Sequence, residues 1–376
     1  MIYLDNSATT YPKPEMVIKS MSNSMYKFGA NAGRGFYDMS IKTTEQIYNT
    51  RKKIADFFDC ESPEKIIFTY NCTMSLNMAI KGVARKGGHL IISDLEHNSV
   101  YRTVEKLKRN GICDYSIAEI DMDDEKTINN FSKCIRKNTV AIVSTGASNV
   151  FGYITPYAKI GELAHKNNIL FILDAAQIAG VIPVSVKRDN IDILCCAGHK
   201  SLYGPSGTGV IVFNSEIKLN TIIEGGTGSN SFSENQPEIL PDRLESGTPN
   251  IPGIIALGYG VDFINKIGIN NIYNHEKSLI SYLYKNLEKF KSVILYDTER
   301  LSVPILSFNV DNMHSEEVAS MLSKDDIAVR AGLHCAPLAH KKMLTSDTGT
   351  VRISPSVFNS KKDMNFLIKS VRKFAK

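Results

Sequence analysis

Asp174 and Gln177 stand at the end of the apolar run NILFILDAAQ, and His199 and Lys200 at the end of a second run, DILCCAGHK. A lysine forms a Schiff base with an aldehyde when its amine is sheltered. A pyridine nitrogen stays protonated when a carboxylate faces it, so that the ring draws electrons from a bound amine. Lys200 and Asp174 suit those two tasks and have the sequence form of a pyridoxal-phosphate site. Singly, each reads more simply: a strand-ending aspartate serves as a cap or turn residue, and one lysine as a surface charge. Their conjunction, with His199 adjacent and the glycine-rich LYGPSGTG following a strand too apolar for the surface, favours the cofactor reading.

Such residues must be held by a sheet. Short β-branched runs alternate with helical ones from KIIFTY through HLIISD, CDYSIAEI, TVAIVST, NILFILD, DILCCAG and GVIVF, the rhythm of a mostly parallel sheet with helices on both faces. Ligands gather at the carboxyl ends of the strands in such sheets, where Asp174 closes one run and Lys200 follows another by a short turn. After GTPNIPG the texture changes to two long helical patterns, then SVILYD, PILSFNV and a final helix pair. The fold class expected is α/β, with a large domain over 15–260 and a smaller α+β domain formed by 1–14 and 261–376. YPKP ends the first extended run, so helix one should begin at about Glu15.

Among 376 residues, 43% are hydrophobic and 22% charged, ordinary for a folded soluble chain. The net charge of +5 comes from 44 basic and 39 acidic residues spread along the sequence. The basic ending NFLIKSVRKFAK reads as a solvated helix rather than a nucleic-acid arm. No signal-like or membrane-length apolar run is present, which predicts a cytoplasmic protein without a membrane partner. Seven cysteines form no C-x-x-C pair, and Cys195 and Cys196 are adjacent, so reduced thiols are expected and no metal site is. GGTGSN does not follow a strand and open a helix, so it reads as a loop rather than a dinucleotide site.

The segments YLDNSATT, GANAGRG, EHNS, SNVFG, DAAQ, GHKSLYGP, ESGTPN, VRAGLHCA and VRIS occur together, in order, over nearly the whole chain. This set resembles the cysteine desulfurases, PLP-dependent enzymes of the class V aminotransferase, fold type I group. The compact RAGLHCAP segment is most similar to the group II enzymes and selenocysteine lyases. The resemblance implies that Lys200 is the Schiff-base lysine, that Asp174 faces the pyridine nitrogen, that Gln177 bonds the ring hydroxyl, and that His97 stacks on the ring and helps in proton transfer, as a flat imidazole with a near-neutral pKa can. Thr73, with Cys72 at the start of a helix, would hold the phosphate on backbone N–H groups, and His199 would add a charged donor. Thr248 resembles the threonine that reaches a neighbouring subunit's site, which implies a homodimer. Arg352 would grip the substrate carboxylate with its planar fork, Arg330 and Arg34 being secondary candidates, and Asn149 would lie near ring and carboxylate.

Cys335 decides the activity that the resemblance implies. Removing sulfur from an amino acid as a persulfide needs a protein thiolate to attack the substrate sulfur, and Cys335 lies in a loop with His334 and Arg330 close in sequence. The expected reaction converts L-cysteine to L-alanine and hands the sulfur to an acceptor protein or thiol. The alternatives are a selenocysteine lyase, or an aminotransferase, epimerase or lyase in which Cys335 is structural. Several positions depart from the family pattern: Ala197 replaces a phosphate-binding serine, Met74 a glutamate, Cys72 a threonine, Asn98 and Gly33 histidines, and Pro337 follows closely after Cys335.

Overall fold

A computed structural model describes residues 1–33, 35–229, 231–296 and 301–375. The chain opens with β1 (Ile2–Tyr3), α1 (Glu15–Lys27) and α2 (Asp38–Phe57). Alternation follows through β2 (Ile66–Thr69), α3 (Cys72–Val83), β3 (Gly88–Ser93), α4 (Asn98–Arg109), β4 (Cys113–Ala118), α5 (Asp124–Cys134), β5 (Thr139–Thr145), α6 (Tyr157–Lys166) and β6 (Leu170–Asp174). β7 (Ile193–Ala197) and β8 (Gly209–Phe213) complete a seven-stranded sheet in the order β2-β8-β7-β6-β5-β3-β4.

Only β8 runs against its neighbours. Residues 198–208 join β7 to β8 without a helix, and so short a link cannot cross back over a sheet to make a parallel pair. The parallel strands are apolar on both faces, and the period of two sorts their residues into separate cores. Ile91, Ile142, Leu173 and Leu194 pack on one side. Leu90, Val143, Ile172 and Ile193 pack on the other.

The second part comprises α7 (Ile251–Ile267), α8 (Ile269–Leu287), β9 (Val293–Tyr296), β10 (Leu306–Val310), α9 (Ser315–Lys324), β11 (Ile327–Ala328), β12 (Arg330–Gly332), α10 (Pro337–Lys342), β13 (Thr350–Ile353) and α11 (Lys361–Val371). α7 runs unbroken through residue 260 and packs on α1 and α2. A four-stranded sheet, β12-β13-β10-β9, is backed by a third core that includes Leu283, Phe308, Val351 and Leu367. Leu4 lies in that core and β1 pairs with β11, so the opening residues belong structurally with the smaller sheet.

The expected final helix pair is corrected to three helices interleaved with three short strands, β11, β12 and β13. At two to four residues each, these strands are too short for a hydrophobic period to appear, and their pairing decides them.

Backbone contact leaves no room for a side chain where the loop after β6 meets the Lys200-bearing loop. Gly180 has φ +81°, and a Cβ there would lie 2.1 Å from the Ser201 carbonyl oxygen. Gly180→Ala should therefore destabilise the fold by about 3 kcal/mol through combined left-handed strain and overpacking. A urea unfolding curve superimposable on that of the wild type would show that the turn yields freely.

Candidate functional site

The carboxyl ends of β3, β5, β6 and β7 lie side by side and open on one cavity of about 190 Å³. Asp174 is the last residue of β6. Cys72, Thr73, His97, Asn149, Gln177, His199 and Lys200 reach the same space from the loops and helix starts that follow the strands. The smaller sheet adds Arg330 and Arg352.

Asp174 is buried, and its carboxylate is used asymmetrically. Oδ1 accepts from the Ala176 N–H at 2.9 Å and lies 3.6 Å from Cys72 Sγ. Oδ2 accepts no hydrogen bond among the described residues, and Asp174 lines the cavity. Burial raises the Asp174 pKa, opposed by the Ala176 amide, the Lys200 charge and the Cys72 thiol. Lys200 opens on the cavity, where desolvation lowers its pKa and so favours the neutral amine. Its Nζ donates to no group among the described residues. Gln177 is fixed by donating from Nε2 to the Ser7 carbonyl oxygen at 3.2 Å.

At the start of α3, Asn71 accepts from the Met74 N–H at 2.9 Å and is the helix cap, which frees Thr73 from that duty. The next helical bond, from Ser75 N to Asn71 O at 3.1 Å, leaves the N–H groups of Cys72 and Thr73 without an intrahelical acceptor. They and the helix dipole favour an anion there.

The imidazoles differ from the expectation. Burial, then the charges of Lys200 and Lys13, lowers the His199 pKa to about 4, so it is a neutral rather than a charged donor in these surroundings. Its Nδ1 is buried without a hydrogen-bond partner among the described residues. His97 caps α4, its Nδ1 accepting from the Ser99 N–H at 3.0 Å. That bond leaves the neutral ring's proton on Nε2. Burial followed by Lys200, Arg330, Arg102 and Arg352 lowers the His97 pKa to about 4, which favours a flat, neutral ring with its proton on Nε2.

On the opposite wall, Arg330 and Arg352 are direct cross-strand partners, so their side chains leave the same face of the smaller sheet. Two like charges so placed favour an anion between or above them. Arg352 is 1% exposed; its Nη1 donates to the Asn149 carbonyl oxygen at 2.8 Å and its Nη2 to Asp5 Oδ1 at 2.7 Å. Its Nε is buried and has no hydrogen-bond partner among the described residues. Asn149 also donates from Nδ2 to the His334 carbonyl oxygen at 2.7 Å, coupling Arg352 to the next loop.

That loop carries Cys335, which is exposed. Consecutive residues His334 and Cys335 have φ +49° and +58°, a conformation costly for side-chain-bearing residues. The Asn149 bond, a bond from Asn98 N to Cys335 O at 2.7 Å and one from Ala336 N to Leu333 O at 2.9 Å hold it there. Arg330 Nη2 is 3.6 Å from Cys335 Sγ, where it can pair with a negative sulfur. His334 does not share that role. It is buried, stacked on His340 at 5.8 Å, and kept neutral by a pKa that burial and Arg352 push down to about 2.

Thr248, expected to reach a neighbouring subunit's site, does not line this cavity. Thr248 lines a separate cavity of about 370 Å³ and accepts from Asn31 Nδ2 at 3.3 Å. Arg34 lies outside the described residues. Ala197 lies on the wall, so no side-chain hydroxyl is available at that position.

Asp5 and Glu96 were not anticipated individually, although both stand in motifs already noted, YLDNSATT and EHNS. Glu96 is wholly buried, accepting from the Thr145 N–H at 2.7 Å and from the Ser93 hydroxyl. An acid beside a chemically interpretable histidine was the available signal.

Residues 2–367 match the family model described as Aminotransferase class-V. A relative called probable cysteine desulfurase from Methanothermobacter thermautotrophicus is 31% identical over 381 residues, covering 100% of this chain and 94% of the relative. Another so called, from Pyrococcus abyssi, is 33% identical over 395 residues, with 99% and 95% covered. The apo structure of a cysteine desulfurase from Thermococcus onnurineus NA1 superposes with a TM-score of 0.91 at 31% identity, over 99% of this chain and 94% of that one. The cysteine desulfurase CsdA from Escherichia coli gives 0.88 at 25% identity, over 99% and 94%. Similarity that spans every element building the cavity places this chain in the class V aminotransferase family.

Proposed function

We propose that this protein is a pyridoxal-phosphate-dependent cysteine desulfurase that converts L-cysteine to L-alanine and carries the sulfur as a persulfide on Cys335. The observation that carries the reading is the convergence, on one cavity, of an unpartnered lysine amine, a buried carboxylate with one uncommitted oxygen and an arginine pair beside an exposed cysteine. These groups fit the cofactor: Lys200 would hold its aldehyde carbon, Asp174 its ring nitrogen and Gln177 its hydroxyl. The free N–H groups of α3, Thr73 and the orphaned Nδ1 of His199 would hold its phosphate. When bound, the cofactor supplies an electron-withdrawing ring that stabilises negative charge on the substrate's Cα.

The chain's own residues supply the rest. Lys200, favoured as a neutral amine by desolvation, takes the proton from Cα. Arg352 and Arg330 hold the α-carboxylate, and Arg352 is itself oriented by Asp5 and Asn149. His97 presents its ring face without adding a charge. Cys335, as a thiolate, attacks the substrate sulfur; the Cβ–S bond breaks with its electron pair left on the carbon fragment, which takes up a proton at Cβ on the way to alanine, and the persulfide remains on an exposed loop where an acceptor can reach it.

The same reading includes a homodimer in which Thr248 completes the partner's site. Exposed Tyr37, Met39, Ile41 and Tyr48 around α2 are apolar side chains that such an interface would cover. No helix among the described residues is long and apolar enough to cross a membrane. The seven free cysteines favour a reducing, cytoplasmic setting.

Mixing the purified protein with pyridoxal phosphate, L-cysteine and a reductant, and assaying alanine and sulfide together, tests the reading. Wild type should release both. Cys335→Ala should keep the bound cofactor's visible colour and lose both products, whereas full turnover by this variant would remove Cys335 from the mechanism. Equal loss of L-selenocysteine turnover would argue against a selenocysteine lyase.

A second test concerns the buried Glu96, whose pKa burial, reinforced by the charge of Asp174, raises to about 8. An unfolded glutamate titrates near 4.3, so between about pH 4.3 and 8 the folded state binds more protons, and this residue's contribution to stability falls as pH rises. Glu96→Gln, which cannot ionise, should gain stability relative to wild type progressively across that window. Urea curves at pH 5 and pH 8 that show a constant difference would exclude a buried neutral Glu96.

A further inference from the structure

Cys72 is the first residue of α3 and lies in the apolar core beside Cys195 and Ile172. Its sulfur nonetheless faces a charged group, 3.6 Å from Asp174 Oδ1, a distance suited to a thiol donor. Two donors, this thiol and the Ala176 N–H, therefore converge on Oδ1, while Oδ2 has none among the described residues and Asp174 lines the cavity. A carboxylate with both donors on one oxygen has a fixed torsion and a fixed free lone pair. The thiol is kept as a donor, because burial and the neighbouring Asp174 oppose its ionisation.

We propose that Cys72 is a positioning residue for Asp174: its S–H bond to Oδ1 locks the carboxylate and directs Oδ2 at the ring nitrogen of the cofactor. This rests on the functional reading above, in which Asp174 faces that nitrogen. Without the thiol, the carboxylate is held by one donor instead of two; it rotates more freely and becomes more basic. A more basic partner draws the ring proton toward itself and lowers the ring's positive charge.

The test uses Cys72→Val, which fills the site without a donor, and Cys72→Ser, which restores one. Pyridoxal-phosphate affinity should fall roughly tenfold in the valine variant, the size of one lost hydrogen bond to a charged group, and stay within about twofold of wild type in the serine variant. The pH midpoint of the bound cofactor's visible band should move upward in the valine variant and return toward the wild-type value with serine. Independently of cofactor, the infrared S–H stretch of Cys72, identified by its loss in Cys72→Ser, should shift to higher frequency in Asp174→Asn.

An S–H band unmoved by Asp174→Asn overturns the proposal. So does a valine variant matching wild type in affinity and pH midpoint while wild type binds the cofactor, a result that leaves the functional reading standing. A wild-type protein that takes up no pyridoxal phosphate defeats the functional reading and this proposal together.

Discussion

A single buried carboxylate facing a lysine amine across the ends of two parallel strands is the constraint around which the structure is organised. β6 pairs with β7 so that Asp174 stands opposite Cys195, and the chain then turns beyond Ala197 to present His199 and Lys200. Removing a charge from water is costly unless it is paired or hydrogen-bonded. Asp174 meets that cost with hydrogen bonds from the Ala176 amide and the Cys72 thiol. The apolar cores on both sides of the sheet keep the surroundings dry, which strengthens each of these interactions.

The smaller sheet confronts this arrangement with positive charge. Arg330 and Arg352 stand opposite each other in antiparallel strands, a placement that a purely structural sheet would disfavour. Asp5 offsets part of that charge, and it comes from the opening residues because β1 pairs with β11 immediately before β12. The same network runs through Asn149 to the left-handed residues His334 and Cys335, so the carboxylate-binding group and the reactive loop share a support. Strain at Cys335 is thus held by bonds that reach both sheets.

Desolvation also explains where the chemistry departs from residue type alone. A histidine in solution titrates near neutrality. His97, His199 and His334 are buried beside cationic side chains, and each is driven toward the neutral form. Lysine follows the same rule with a useful result, since a neutral amine is the form that accepts a proton. Glu96 obeys the same rule with the opposite pKa direction: burial raises its pKa to about 8 and favours its neutral acid.

The sequence by itself determined the large sheet and the residues at its strand ends. Apolar runs bounded by polar and glycine-rich segments are a local signal, and from KIIFTY to GVIVF each run became a strand, with Asp174 and Lys200 at the expected ends. The start of α1 at Glu15 was likewise legible from YPKP. Only the tertiary structure decided what depends on contacts between distant segments. These include the reversal of β8, the short strands β11 to β13, the Asp5–Arg352 pair across the length of the chain, and the approach of Cys72 to Asp174. The lowered pKa values of the histidines likewise come from burial and neighbouring charge, which are properties of the folded cavity and leave no mark in residue order.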